Sequence, residues 1–171
     1  MNKVIYDRHA EEWDKVLQDK GRQKIGESWL SEEYTLDKWR HQQMYDLLKP
    51  LITDNVRSWL TIGDGRYGSD AKALMDMGAK NVHCTDISDT LLKVAKKKGI
   101  IKDFSEQNAE STTFKDNQFD YVLCKEAYHH FPRPQIALHE MLRVSKIGII
   151  LIEPRDMEID KAPFYMLVKL A

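Results

Sequence analysis

From Arg57 onward, short apolar runs alternate with stretches in which apolar side chains recur every three to four positions. The runs predict buried strands and the periodic stretches predict helices. A strand over 57–62 precedes a helix capped by Ser69 and closed at Gly78. A second strand over 81–86 leads to a helix capped by Ser88, with Leu91, Leu92 and Ala95 on one face and Gly99 at its end. A weaker strand follows near 102–107. Residues 119–124 form a fourth, almost continuously apolar strand, as expected where both sheet faces are covered. Pro132 and Pro134 introduce a helix to about Ser145 that carries Ala137, Met141 and Val144 on one side, and 147–152 form a fifth strand ended by Pro154. Repeats of this kind imply right-handed crossovers and an open parallel sheet, an α/β architecture.

Residues 1–55 read differently. They are polar and helical and carry Trp13, Trp29, Trp39, Tyr6, Tyr34 and Tyr45, with Gly21 and Gly26 as punctuation. Apolar positions at Leu36, Trp39, Met44, Leu47, Leu48 and Leu51 predict a helix that packs on the sheet, covers a ligand, or does both. We therefore divide the chain into a helical cap over 1–55 and a main domain over 56–171. After Pro154 the remaining residues suffice for one helix. That leaves the fifth strand as an exposed apolar edge, which predicts cover by a second copy or by further chain.

Composition narrows the function. With 26 basic and 27 acidic residues among 171, the net charge is -1, so no electrostatic argument favours nucleic acid or an anionic membrane as partner. The run Lys96-Lys97-Lys98 closes a predicted helix, where it complements the helix dipole. Cys84 and Cys124 each fall within a predicted strand and have neither disulfide nor zinc spacing. No apolar run approaches the roughly 20 residues that cross a bilayer, and the N-terminal stretch lacks a signal-peptide core. These features predict a soluble, cytoplasmic protein without a metal.

The chemistry concentrates after the first strand, in Gly63-Asp64-Gly65-Arg66-Tyr67-Gly68, and at Asp86, which ends the second. Glycines there let the backbone approach a ligand, and the carboxylate can accept from both hydroxyls of a ribose; the pair is the layout of a site for an adenosine-containing cofactor. Gly63, Gly65 and Gly68 match the dinucleotide pattern, which suggests a nicotinamide-dependent oxidoreductase. Asp64 opposes that reading, because a carboxylate inside the loop would repel a pyrophosphate at close range. An acid there suits S-adenosyl-L-methionine, which bears a sulfonium and an ammonium and no phosphate.

In order and spacing, the stretch 56–154 resembles a class I S-adenosylmethionine-dependent methyltransferase of the type 11 branch. The matching features are the glycine loop, Asp86, Asn108-Ala109-Glu110, Phe119-Asp120, His129-His130 and the two elements that follow. The resemblance implies a three-layer, Rossmann-like fold with a mostly parallel sheet, S-adenosyl-L-methionine as cofactor, S-adenosyl-L-homocysteine as product and a small-molecule methyl acceptor. It places Gly63, Asp64 and Gly65 along the methionine moiety, Asp86 on the ribose and Ile87 on the adenine face. Asn108 and the backbone of Ala109 fall on the adenine edge, with Gly68, Glu110 and Lys125 completing the cofactor-binding set. Three departures stand out. Tyr67 holds the place of the usual third glycine, Thr61 stands where an acid is common, and the chain is short after the fifth strand.

Methyl transfer depends on alignment and exclusion of water, and on a base only where the acceptor must lose a proton. His129 and His130 follow the fourth strand and are the catalytic candidates, either as base or by contacting the cofactor; Glu126 is a rival base. His9, His41, His83 and His139 read as surface or core residues. A small-molecule methyltransferase, a nicotinamide-dependent oxidoreductase and a non-catalytic binding module all remain open at this point.

Overall fold

In the computed structural model, residues 11–13, 15–28, 35–53 and 56–154 are described. Five strands, β1 (Ser58–Ile62), β2 (Asn81–Asp86), β3 (Asp103–Glu106), β4 (Phe119–Lys125) and β5 (Ser145–Ile152), form one sheet in the order β3-β2-β1-β4-β5. Every neighbouring pair is parallel. The helices are α1 (Lys20–Ser28), α2 (Leu36–Asp46), α3 (Ser69–Asp76), α4 (Thr90–Lys97) and α5 (Pro134–Val144). This is the open parallel sheet that the alternating pattern predicts, in the three-layer, Rossmann-like form that the resemblance implies.

Two apolar layers flank the sheet. On one face Trp59, Cys84 and Leu123 meet Leu74 of α3, Leu91, Leu92 and Ala95 of α4, and Tyr45 and Leu48 from the α2 region. On the other, Leu60, Ile62, Val122 and Cys124 meet Ala137, Met141 and Val144 of α5. The alternation of Trp59 and Leu60 between faces is the two-residue strand period. Both cysteines are free and buried. The crossover from β3 to β4 carries no helix; an irregular segment over 107–118 makes it, and Phe114 packs onto the α5 layer. α5 ends at Val144 and β5 begins at Ser145, with no residue between them.

Several predicted details change. Ser69 begins α3 but does not cap it: Gly68 occupies the cap position at φ 66°, and no cap side chain bonds the helix. α4 begins at Thr90, and Ser88 lies just outside it, its hydroxyl accepting from Thr90 N at 3.3 Å. In and after α2, the predicted apolar positions divide: Leu48 is buried and Met44 and Leu51 are half-buried, whereas Leu36, Trp39 and Leu47 are exposed. Leu36 and Leu47 are 81% and 69% exposed, and His41 and Tyr45, which the apolar pattern did not include, face inward beside Leu48. Thr35 caps this helix through Lys38 N. Before it, helical residues at 11–13 and 15–18 lead into α1, where Asp19 Oδ1 accepts from Gly21 N and Arg22 N. Glu27 ties α1 to the end of α4 through Lys98, at 2.8 Å.

β5 is the outer strand of the sheet, with Ile147 and Leu151 both partly exposed. Tyr6, His9, Trp29, Tyr34 and the helix expected after 156 lie outside the described residues. Among the described residues no helix is long and apolar enough to cross a membrane, and no group of His, Cys, Asp and Glu could hold a metal ion.

Candidate functional site

β1 pairs with β2 on one side and β4 on the other, so the strand order reverses beside it. Loops diverge at such a point and leave a crevice at the carboxyl ends of the strands. A cavity of about 340 Å³ lies there, within the range of small-molecule sites.

The glycine loop forms its floor. At Gly65 the backbone comes so close to β2 that a Cβ would fall 2.6 Å from Asp86 Cγ. The displaced third glycine has a structural consequence too. Tyr67 and Gly68 are consecutive left-handed residues, at φ 57° and 66°. A Cβ on Gly68 would meet Ile101 at 2.6 Å, so the turn can close only where one of the pair is glycine. Tyr67 itself is turned into the core and fully buried.

Asp64 is not aimed at a ligand as its place in the loop suggested. Its Oδ1 accepts from Asp70 N at 3.0 Å, and its Oδ2 accepts from Ala71 N and the Thr61 hydroxyl, each at 2.9 Å. It therefore fills the amino end of α3, where the helix presents unpaired N–H groups. Thr61, at the position of the family's usual acid, supplies a hydroxyl to this acid instead. Burial first, and then the neighbouring Asp70, push Asp64 up to about 8, against the pull of these donors.

Asp86 does reach the cavity. Its Oδ1 accepts from Ser88 N and from the indole N–H of Trp13, each at 3.1 Å. Burial raises its carboxyl to about 6, opposed by the Ser88 and Gly65 amides. Ile87, Gln107, Ala109 and Glu110 continue this wall. Asn108 is spent differently from expectation. Its Oδ1 accepts from Glu110 N at 2.9 Å, closing a turn, while its neighbours on both sides line the cavity. Glu110 is buried and accepts from Arg133 N at 2.9 Å and Arg133 Nε at 2.7 Å. It fastens the 131–133 turn over the cavity.

At the other end lies a buried charged chain. Lys125 Nζ sits 3.1 Å from Glu126 and 3.7 Å from Asp70, and the Tyr45 hydroxyl donates to Asp70 at 2.6 Å. Glu126 stands at φ 51°, a strained position of the kind found at functional turns, with His41 Nδ1 3.5 Å from its carboxylate. Burial, then the Lys125 charge, lower His41 to about 4, so its imidazole is neutral near pH 7. Burial opposes ionisation of Glu126, but Lys125, His41 and Arg40 outweigh it and hold the carboxyl below its ordinary value.

The histidine pair divides. Both are exposed, but His130 lines the cavity, whereas His129 lies off its wall with Nδ1 2.5 Å from Glu153. Of the predicted set, Gly63, Asp64, Asp86, Ile87, Ala109, Glu110, Lys125 and His130 line one cavity; Gly65 underlies it, Gly68 shapes the loop, and Asn108 and His129 stand outside it. Trp13, Arg40, Asp70 and Gln107 line it without having been singled out. Only Trp13 left a signal, as part of the aromatic excess before the first strand.

A family model described as a methyltransferase domain matches residues 60–152, more than half of the chain. The chain belongs to the methyltransferase-domain family. Among curated relatives, a ubiquinone/menaquinone biosynthesis C-methyltransferase UbiE of Rhizobium meliloti (strain 1021) is 34% identical over 104 residues, 55% of this chain and 40% of the relative. Its namesake in Sinorhizobium fredii is 31% identical over 125 residues, 67% of this chain and 48% of the relative. The chain thus spans less than half the length of these relatives. The solved structure of the PH0226 protein from Pyrococcus horikoshii OT3 superimposes with a TM-score of 0.59 at 27% identity, covering 72% of this chain and 59% of that one. The methyltransferase-domain match begins within β1 and ends with β5, so it encloses the glycine loop, Asp86 and the 107–110 wall, and leaves α1 and α2 outside.

Proposed function

We propose that this chain binds S-adenosyl-L-methionine and transfers its methyl group to a small-molecule acceptor. The observation that carries the reading is the position of Asp64. In a dinucleotide site the pyrophosphate takes the N–H groups at the first helix's amino end; here an internal carboxylate already holds them. A nicotinamide-dependent oxidoreductase is thereby disfavoured. The remaining features suit a ligand that carries a ribose and no phosphate: a carboxylate on the cavity wall at Asp86, and a bare backbone at Gly65.

In this reading Asp86 takes the ribose hydroxyls, Ile87 packs on the adenine, and the 107–109 segment borders the adenine edge. Gly63 to Gly65 run along the methionine portion, near Lys125 and Asp70. When bound, the cofactor supplies an electrophilic sulfonium methyl. Ala127, Phe131 and Pro132 make an apolar wall beyond it that excludes water and suits a flat acceptor ring. The C-methyltransferase relatives support a carbon acceptor of quinone-precursor type. In this reading His130, on the cavity wall, removes an acceptor proton where the acceptor must lose one.

Calorimetric titration tests the reading. S-adenosyl-L-homocysteine binds and NAD does not; NAD binding without a response to the homocysteine analogue overturns it. Cofactor binding without turnover across a panel of quinol and phenol acceptors would mark a non-catalytic module.

A further inference from the structure

Trp13 lies 73 residues from Asp86 in sequence, yet its indole N–H donates to the Oδ1 of that carboxylate at 3.1 Å. A Cβ built on Gly65 would fall 2.6 Å from the same indole nitrogen. The ring therefore sits over the one place where the glycine loop bares its backbone to Asp86, and it lines the cavity. A ribose that donates from two adjacent hydroxyls to a carboxylate needs both oxygens accessible. Here Oδ1 already takes two donors, Ser88 N and the indole. The Ser88 bond belongs to the turn after β2 and stays; the indole comes from outside the main domain and can leave.

Among the described residues, the ion pairs that hold the Trp13 segment lie at the surface. Glu12 pairs with Lys15 at 2.8 Å and Arg22 at 3.1 Å within the segment itself, and Glu27 pairs with Lys98 at 2.8 Å. All of these side chains are well exposed, and such pairs are weak and screened by salt. Beyond them Trp13 and Val16 are partly buried against the α3/α4 layer. The segment can thus swing away without disturbing a strand.

We infer that Trp13 is an internal competitor for the cofactor's ribose: in the resting chain the indole N–H holds the Asp86 position that a ribose hydroxyl takes, and binding requires its displacement. This rests on the cofactor reading above. The resting site is closed by its own chain, which keeps Asp86 satisfied and the cavity floor covered until the cofactor arrives.

Two measurements test it. Trp13→Phe keeps an aromatic ring and removes the donor, so it binds S-adenosyl-L-homocysteine about three- to tenfold more tightly than the unaltered chain, the net share of one hydrogen bond. In stopped-flow mixing of the unaltered chain with S-adenosyl-L-homocysteine, the observed rate levels off at high ligand concentration, at the rate of indole release. Equal or weaker binding by Trp13→Phe, with the unaltered chain still binding, overturns the competitor. A rate that climbs linearly with ligand concentration also overturns it, and does so whether or not the variant folds. Absence of binding by both proteins overturns the cofactor reading itself and this inference with it.

Discussion

Replacing Asp64 with alanine separates a group that holds the fold from one that holds a ligand. The carboxylate satisfies two amides at the start of α3 and the Thr61 hydroxyl, all buried. Loss of a helix-capping acceptor costs about 0.5–2 kcal/mol, and a further stranded N–H costs about 1–3 kcal/mol. Asp64→Ala is therefore destabilised by about 2–4 kcal/mol where the native carboxyl is most comfortable. That range is acidic. Asp64 is raised to about 8 in the folded chain, against roughly 4 unfolded. Its proton therefore favours folding fully below pH 4, and the benefit is lost as pH climbs through 8, at up to about 1.4 kcal/mol per unit. His41, lowered to about 4, acts in the opposite sense, losing its contribution as pH falls from 6.5 toward 4, but it is common to both proteins and cancels in their difference. Urea unfolding at pH 5 and pH 8 reads the outcome. With a slope of about 1–3 kcal/mol/M, the variant's midpoint falls by on the order of 1 M at pH 5, and by pH 8 the gap closes or reverses. Equal midpoints at pH 5, or a gap that widens toward pH 8, refute the reasoning.

Three other outcomes are expected. Asp86→Ala weakens S-adenosyl-L-homocysteine binding by about 2–4 kcal/mol, the loss of two hydrogen bonds to a charged acceptor; an unchanged calorimetric constant would assign the ribose to another group. Gly65→Ala drives a methyl group into Asp86, at 2.6 Å from its Cγ; binding in the same titration falls by at least about tenfold, and an unaffected variant would place the ligand elsewhere. In an acceptor assay, His130→Ala lowers turnover by about a hundredfold or more with cofactor affinity retained, whereas His129→Ala, whose ring faces Glu153 outside the cavity, turns over normally; equal losses would return both histidines to the site.

The strands were legible because each is a short apolar run between turn residues, and the observed limits of β2 coincide with the predicted 81–86. Helix contents were legible wherever burial is apolar, as with Leu91, Leu92 and Ala95. Legibility failed where polar side chains are buried against partners far away in sequence. His41 and Tyr45 face inward because Glu126 and Asp70 meet them there, so a search for apolar periodicity caught Leu48 but missed the two polar members of the inward face and admitted the exposed Leu36 and Leu47. Asp64 was recognised as the residue that argues against phosphate, but its direction was missed: whether a loop carboxylate faces a ligand or the helix behind it depends on the left-handed turn at Tyr67–Gly68. Asn108 lost its place for a similar reason, since a side chain that can close its own turn commonly does. Trp13 could not be joined to Asp86 by any local rule.

The direct junction of α5 and β5 restricts where this chain can vary in length. A helix repeats every 3.6 residues and a strand every two. With no spacer between Val144 and Ser145, one inserted residue would rotate the Ala137–Met141–Val144 stripe by about 100° or exchange the two faces of β5. The one irregularity near the joint, the register shift where Phe119 and Tyr121 face Ser145 and Gly148, is already taken up. Length changes are therefore disfavoured across 134–144 and 148–152, while the helix-free crossover beyond the cavity wall, 113–118, can take them up. Deletion and insertion scanning by a folding reporter would show this as two intolerant blocks, the helix and the end of the outer strand, parted by the irregular step at 145–148, although outer strands are ordinarily among the more permissive parts of a sheet.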